Sequence, residues 1–322
     1  MHILSGEDVR RFLPMKDAIS AMRDAFTQIS NRQARVPLRS QIDLPEYHAG
    51  ALFMPGFLPG SHTLGIKIVT LHGDNPKKGL PFIHALMVLM DGKTGMPLAV
   101  LDGEQLTAIR TGAASGLATD LLARQTSEIL TIFGAGVQAR TQLEAVSAVR
   151  KLTKVYIVDP DKVRAEKWIN EQQPDYPFSI SISESAAGVS QADIICTSTT
   201  ASEPVFSASD VRPGTHINAI GAYRPDKREI PAGTVARSLV IVDERGACLA
   251  EAGDLVMALK EGYIDQQHIT AELGEILLGN HPGRTTEEQI TLFKSVGNAA
   301  QDLAASAQIM KNIDTFSSKS GG

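Results

Sequence analysis

Residues 129–139 read Ile129-Leu130-Thr131-Ile132-Phe133-Gly134-Ala135-Gly136-Val137-Gln138-Ala139, and they predict the fold of the central part of the chain. An apolar run of strand length enters a glycine-rich loop, and helical periodicity follows the loop. Gly134 permits a tight turn, Gly136 lets backbone amides approach a phosphate, and the small Ala139 allows the helix to pack closely on the strand. A strand-to-helix turn needs glycine for its own geometry as well, so the loop alone leaves a purely structural interpretation open.

The residue that follows the next apolar run strengthens the phosphate-binding interpretation. Asp159 follows the apolar run at 154–158. It lies about 20 residues beyond the loop, where an acid accepts the ribose hydroxyls of a dinucleotide. The pattern predicts NAD(H) or NADP(H) as cofactor, with NAD(H) slightly favoured because a carboxylate repels a 2′-phosphate. Asp161 and Lys162 soften that preference. Asp159 could instead cap a helix that begins at Pro160.

Short apolar strands alternate with helical segments through the central part of the chain. The predicted strands are 129–133, 155–158, 180–182, 194–197, 217–220 and 239–242, and the predicted helices are 138–150 and 161–173. Continuous apolar strands alternating with helices are typical of a doubly wound parallel sheet that is buried on both faces.

The first hundred residues show a different pattern of predicted helices and strands. A helix is predicted at 15–29, behind Pro14, and period-two strands at 38–42 and 64–69. A hairpin follows, with strands at 85–91 and 96–102 joined by a glycine-containing turn. These patterns predict an N-terminal α+β domain with a largely antiparallel sheet. A last helix is expected at 299–313, with a polar tail at 317–322 that frays.

Composition restricts the possible functions. The 322 residues are 43% hydrophobic and 21% charged, with a net charge of −5, which is ordinary globular usage and too acidic for a nucleic-acid surface. The longest apolar run, at 85–90, is too short to cross a bilayer, and the acidic start does not resemble a signal peptide. Cys196 and Cys248 fit no disulfide framework, so we expect reduced thiols and a cytoplasmic protein.

Other site chemistries find little support in the sequence. The eight histidines lack the spacing of metal ligands, so no metal site is predicted. No nucleophile elbow or catalytic thiol motif is present either, which argues against a hydrolase.

Several further motifs occur in a fixed order along nearly the whole chain. They are Met54-Pro55, Gly65-Ile66-Lys67, the segment 107–113, the loop at 134–138, the segment 217–229, the segment 271–275 and Phe293-Lys294-Ser295-Val296-Gly297. With them, the sequence resembles the ornithine cyclodeaminase and mu-crystallin family. The resemblance implies a Rossmann domain at 113–299, a substrate-binding and dimerisation domain at 1–112 plus 300–322, a site in the crevice and a homodimer.

The resemblance also implies roles for individual residues. Arg39, Lys67 and Arg110 match the family's carboxylate-binding cations, a chemically sensible set because a guanidinium binds a carboxylate bidentately. Lys67, Arg110 and Tyr223 are the predicted catalytic residues, with Tyr223 orienting substrate or donating a hydrogen bond. The predicted cofactor contacts are Arg110, Gly134, Gly136, Val137, Gln138, Ala139, Asp159, Thr199, Lys227 and Ser295. From pattern alone, an exposed lysine and surface ion pairs would be the simpler interpretation of the cations.

The sequence departs from the cyclodeaminase pattern at two acids. Tyr223 stands where cyclodeaminases carry a proton-shuttling aspartate, and Leu52 where they carry a glutamate. A phenol, whose pKa is ordinarily about 10, is a poor base at neutral pH. Phe82 replaces a small hydroxyl residue that many members carry.

These departures favour the ketimine reductase and mu-crystallin branch, because imine reduction needs no such base. The prediction is NAD(P)H-dependent reduction of Δ1-pyrroline-2-carboxylate to L-proline, and of Δ1-piperideine-2-carboxylate to L-pipecolate. The alternatives are an ornithine cyclodeaminase, an alanine dehydrogenase, and a non-catalytic ligand-binding protein of mu-crystallin type.

Overall fold

The computed structural model describes residues 1–320 and divides the chain into two compact units. The first unit is Met1–Arg110 with Gly297–Gly322, and the second is Thr111–Val296. The predicted domain divisions were at 112/113 and 299/300.

Within the described residues, mostly strands occupy the chain up to residue 102, and strands alternate with helices after it. The strands are β1 (His2–Leu4), β2 (Ser40–Leu44), β3 (Ala49–Leu58), β4 (Thr63–His72), β5 (Ile83–Asp91), β6 (Pro97–Asp102), β7 (Ile129–Phe133), β8 (Lys154–Val158), β9 (Ser179–Ile182), β10 (Ile194–Thr197), β11 (His216–Ala219), β12 (Ser238–Val242), β13 (Ile269–Glu272) and β14 (Ile290–Lys294). The helices are α1 (Gly6–Phe12), α2 (Met15–Ser30), α3 (Gly103–Leu122), α4 (Val137–Val149), α5 (Lys162–Gln172), α6 (Ser185–Gln191), α7 (Ala232–Arg237), α8 (Arg245–Glu251), α9 (Gly253–Lys260), α10 (Leu273–Leu277) and α11 (Ala299–Ser320).

The first unit is built on a six-stranded sheet in the order β1-β6-β5-β4-β3-β2. All neighbouring strands are antiparallel except β1 and β6, so the prediction of a largely antiparallel sheet is confirmed. The helices α2 and α11 pack against each other, and α11 also packs on β3 and β4. Apolar side chains such as Phe26, Met87 and Leu101 are buried in this core.

The second unit is an eight-stranded parallel sheet in the order β13-β12-β14-β11-β10-β7-β8-β9. Successive residues of one strand pack into hydrophobic clusters on opposite faces of the sheet. Ile132 of β7 belongs to one cluster and Phe133 to the other. Both faces of the sheet are therefore covered, as the continuous apolar strands predict. The strand order reverses between β7 and β10, and open α/β sheets bind their ligands beside such a switch point.

Some elements differ from the sequence-based expectations. The strands β1, β3, β13 and β14 were not predicted. The last helix, expected to end at 313, continues to Ser320. The predicted polar tail is therefore helical as far as Ser320, and Gly321 and Gly322 lie outside the described residues.

Across residues 1–320, none of the helices combines the length and apolar character that crossing a membrane requires.

Candidate active site

The glycine-rich loop of the second unit has the geometry of a phosphate cradle. Gly134 follows β7 with a φ of +96°, a conformation that other residues rarely adopt. Gly136 is the N-cap of α4 and supplies no side chain to cap the helix. A Cβ atom at Gly136 would meet nothing within 4 Å. The loop is therefore open beside Gly136, which suits an anion at a helix N-terminus.

The other predicted loop residues divide between packing and exposure. Ala139 is fully buried in the core beside the first sheet strands of this unit, which fits its predicted role in close helix packing. Val137 is exposed and Gln138 is half-buried at the start of α4. Both residues belong to the first turn of α4, where backbone N–H groups have no partner within the helix.

Asp159 lies at the end of β8 and is tied to the loop. Its Oδ2 atom accepts a hydrogen bond of 2.8 Å from the backbone N–H of Ala135. Its Oδ1 atom accepts one of 2.9 Å from the N–H of Asp161, and the carboxylate pairs with Arg164 at 2.6 Å. The alternative that Asp159 caps the following helix is wrong, because α5 begins at Lys162 and its N-cap is Asp161.

A buried glutamate, which the sequence analysis missed, organises the loops after β10 and β11. Glu229 accepts hydrogen bonds from the Oγ1 atom of Thr197 at 2.9 Å and from the N–H of Thr199 at 2.6 Å. It also accepts them from the N–H groups of Gly221 and Ala222, at 2.8 and 3.2 Å. Burial, followed by the negative charge of Asp254, raises the pKa of Glu229. One carboxylate thus fixes the backbone at Thr199, a predicted cofactor contact.

The remaining predicted contacts of this unit lie on neighbouring segments. The hydroxyl of Ser295 donates a 2.7 Å hydrogen bond to Asp243. Lys227 is half-buried, and its carbonyl leaves no space for a side chain at Gly253, where a Cβ atom would lie 1.9 Å away. Tyr223 follows the turn held by Glu229 and is 38% exposed.

The first unit contains a buried cluster of two cations and one carboxylate. Lys67 of β4 and Arg110 of α3 are 2% and 6% exposed. The Nζ atom of Lys67 lies 2.8 Å from Asp302 Oδ2, and Nε of Arg110 lies 3.0 Å from Asp302 Oδ1. The Nη1 atom of Arg110 also donates to Gln301 at 2.7 Å. We call Lys67, Arg110 and Asp302 the cation cluster.

The surroundings of Lys67 set its charge. Burial lowers the pKa of Lys67 to about 8, although Asp302 raises it, and the charges of Arg110 and Arg39 lower it further. Arg39 therefore lies close enough to act on Lys67, and it is half-buried just before β2. The structure brings Lys67 and Arg110 together on Asp302, and the charge of Arg39 reaches Lys67. Lys67 is no exposed surface lysine, and the ion pair of Arg110 is buried.

Two further features of the first unit shape this cluster. Gly297 has a φ of +75°, and a Cβ atom there would lie 2.6 Å from Nη1 of Arg110. Leu52 pairs with Val69 and Met54 pairs with Lys67, so Leu52 and Lys67 are on the same sheet face. An apolar side chain thus shares the face of Lys67 where cyclodeaminases carry a glutamate. Phe82 is exposed immediately before β5, and the structure gives its substitution no role.

Asp302 and Gln301 were also missed by the sequence analysis. Asp302 shares a helix face with Ser306, Ile309 and Ile313, all of them buried. A carboxylate in line with buried positions of an amphipathic helix is a signal that its charge has a buried partner. In the described part of the chain, no group of three or more histidine, cysteine, aspartate or glutamate residues is arranged to hold a metal ion.

Comparison with known proteins agrees with these features. The ornithine cyclodeaminase/mu-crystallin family model matches residues 1–317. The chain belongs to this family. It is 38% identical over 309 residues to a Δ1-pyrroline-2-carboxylate reductase of Bacillus cereus, covering 94% of each chain.

Two solved structures are also close. The Thermococcus litoralis Δ1-pyrroline-2-carboxylate reductase in complex with NADH and L-proline is 42% identical, with a TM-score of 0.94 and 98% of each chain covered. An archaeal alanine dehydrogenase dimer with bound NAD is 33% identical, with a TM-score of 0.92, covering 98% of this chain and 97% of that chain. The fold-class and family predictions are confirmed.

Proposed function

We propose that this protein reduces a cyclic imino acid with NADH or NADPH, converting Δ1-pyrroline-2-carboxylate to L-proline and Δ1-piperideine-2-carboxylate to L-pipecolate. The observation that carries the proposal is the cation cluster. Two buried cations share one buried carboxylate, so a net positive charge remains in an apolar environment. A substrate carboxylate complements that charge, and charge-assisted hydrogen bonds are strongest where water is excluded.

The residues of the chain have separable roles in this reaction. Lys67 and Arg110, with Arg39 nearby, bind the substrate carboxylate and fix the position of the ring. Asp302 acts through them as a positioning residue. When bound, the reduced nicotinamide supplies the hydride for the imine carbon. Tyr223 orients the substrate or donates a hydrogen bond to it.

The same geometry argues against cyclodeamination. Ring closure from a diamino acid requires a base that takes protons from substrate ammonium groups. Leu52, on the Lys67 face, and Tyr223 supply no carboxylate at the two positions where cyclodeaminases have one. Imine reduction requires binding, orientation and exclusion of water, which the cation cluster and its apolar surroundings offer.

The proposed cofactor is NAD(H) or NADP(H), with NAD(H) favoured. The Gly136 cradle leaves room for the phosphates, and the proposed contacts are the loop residues with Asp159, Thr199, Lys227, Ser295 and Arg110. The solved structures of relatives with bound NADH and with bound NAD support this cofactor class.

We propose a homodimer formed through the open face of the six-stranded sheet. Ile3, Leu86 and Ile42 are exposed on that face at 79%, 53% and 52%, beside half-buried Ile66 and Val88. A contiguous apolar face of this kind marks an interaction surface. A Leu86→Glu variant is expected to be monomeric by light scattering after gel filtration, whereas Leu278→Glu, at an exposed leucine of the second unit, leaves the dimer intact.

The proposed compartment is the cytoplasm. Cys196 and Cys248 are buried and unpaired, and burial raises the pKa of Cys196 to about 12. Buried thiols that stay protonated suit a reducing compartment.

The test is the rate of NADH or NADPH loss with Δ1-pyrroline-2-carboxylate. The expected result is turnover with the imine, little turnover with pyruvate plus ammonia, and no ammonia release from ornithine with NAD. Lys67→Ala should lose most of the activity, while Lys93→Ala, at an exposed lysine in the β5–β6 turn, should retain it. Cofactor binding without turnover of the imine would instead support the mu-crystallin-type alternative.

A further inference from the structure

The carboxylate of Asp159 is fully engaged by the chain itself. Oδ1 accepts from the N–H of Asp161 at 2.9 Å and from Nη2 of Arg164 at 2.6 Å. Oδ2 accepts from the N–H of Ala135 at 2.8 Å and from Nε of Arg164 at 3.3 Å. A carboxylate offers about four lone-pair sites, and four donors fill them. A ribose hydroxyl that bonds to Asp159 must therefore share an oxygen atom with one of these donors or displace it.

The pairing also changes the charge at the end of β8. The side chain of Asp159 is 1% exposed, whereas that of Arg164 is 54% exposed. The negative charge is buried and neutralised, and solvent meets the guanidinium. The two bonds to Asp159 use two of the five N–H donors of Arg164. A planar guanidinium held in place is well suited to a phosphate.

The other charges nearby are paired or occupied in α5. Asp161 accepts a hydrogen bond from the N–H of Arg164 at 3.0 Å as the helix N-cap. Lys162 pairs with Glu184 at 3.3 Å, and both side chains are exposed. Arg164 is therefore the cation that the buried carboxylate fixes at the position where this fold presents an adenosine ribose.

We propose that Arg164 is a specificity-determining residue that admits a 2′-phosphate, so that the chain binds NADP(H) within about tenfold of the favoured NAD(H). This inference rests on the dinucleotide site of the proposed function. Asp159 acts as the positioning residue, because it holds the guanidinium at the ribose. Its negative charge is paired with Arg164 and therefore repels the phosphate less. The acid that the sequence pattern associates with NAD(H) then serves either cofactor.

The test uses two probes that carry no nicotinamide, adenosine 2′,5′-bisphosphate and adenosine 5′-monophosphate. Isothermal titration of the full chain should give dissociation constants for the two probes within about tenfold of each other, or tighter binding of the bisphosphate. Arg164→Gln should weaken binding of the bisphosphate by roughly 10- to 150-fold, which is the effect of losing one charge-assisted contact. It should leave the monophosphate unchanged or bound more tightly. Lys167→Gln removes an exposed charge from the same helix and should change neither constant.

Several outcomes would overturn the inference. One is a wild-type chain that binds the bisphosphate more than about tenfold more weakly than the monophosphate. Equal weakening of both probes by Arg164→Gln would mean that Arg164 only supports the loop. The wild-type comparison decides the question even if that variant fails to fold. Since neither probe requires an imine, a chain that lacks imine reductase activity can still show the predicted discrimination, and an active reductase can fail to show it.

Discussion

Replacing Asp302 by asparagine tests the cation cluster most sharply. The substitution keeps the shape of the side chain but removes the charge that lies 2.8 Å from Lys67 Nζ and 3.0 Å from Arg110 Nε. It also places amide N–H donors where two cations need an acceptor. Because Asp302 raises the pKa of Lys67, which is about 8 in the intact cluster, its loss should leave Lys67 largely neutral at neutral pH.

The expected magnitudes follow from burial of the cluster. Removing one partner of a buried ion pair costs about 3–5 kcal/mol, a large share of a typical unfolding free energy of about 5–15 kcal/mol. Deprotonation of Lys67 relieves part of that cost. It also removes one charge-assisted contact to the substrate carboxylate, worth about 1.5–3 kcal/mol, or roughly 10- to 150-fold in kcat/KM.

The assay combines urea unfolding with kcat/KM for Δ1-pyrroline-2-carboxylate between about pH 6 and 9. In the wild type, activity should fall above about pH 8 as Lys67 loses its proton, and in Asp302→Asn this fall should move to lower pH. Asp314→Asn, an exposed aspartate of the same helix, serves as control and should match the wild type. If Asp302→Asn is less stable but keeps the wild-type kcat/KM and pH profile, Asp302 has only a structural role and the reasoning is refuted.

Three other predictions concern the cradle, Lys67 and Glu229. Gly136→Ala places a methyl group in the open space of the cradle. The affinity for NADH, measured by fluorescence titration, should fall at least about tenfold, while the melting temperature stays unchanged. An unchanged affinity would argue against phosphate binding at the cradle. The Lys67 pKa of about 8 lies below the ordinary lysine value of 10.5, so the unfolded chain binds more protons than the folded chain between these two pH values. The free energy of unfolding should therefore rise with pH through this window. If a Lys67→Met variant shows the same rise, Lys67 is not its cause. Glu229→Gln places a side-chain NH2 group against backbone N–H donors, which should lower the free energy of unfolding by about 1–3 kcal/mol and weaken NADH binding. Unchanged NADH binding would mean that Glu229 does not shape the cofactor loops.

Much of the second unit could be predicted because burial on both faces makes parallel strands continuously apolar. The pattern fails at β14, where Lys294 is fully buried and pairs with Asp254 at 2.7 Å. A lysine inside a strand is typical of an exposed residue, and only the folded chain reveals its partner. In β13, Thr270 and Glu272 interrupt the apolar run that marks the other strands.

In the first unit, β3 was missed because glycine and proline interrupt it. Pro55 is tolerated because the pairing of β2 with β3 ends at Phe53, so Pro55 pairs only with β4. The cations were found by resemblance, but their shared partner was not. Asp302 lies 235 residues from Lys67 along the chain, and no local pattern joins residues at that separation.

Imine reduction is tested by the amount of L-proline formed per NADH oxidised from Δ1-pyrroline-2-carboxylate, with ornithine plus NAD assayed in parallel. We expect one L-proline per NADH from the imine and neither proline nor ammonia from ornithine. No proline from the imine, or proline with ammonia from ornithine at a comparable rate, would contradict it.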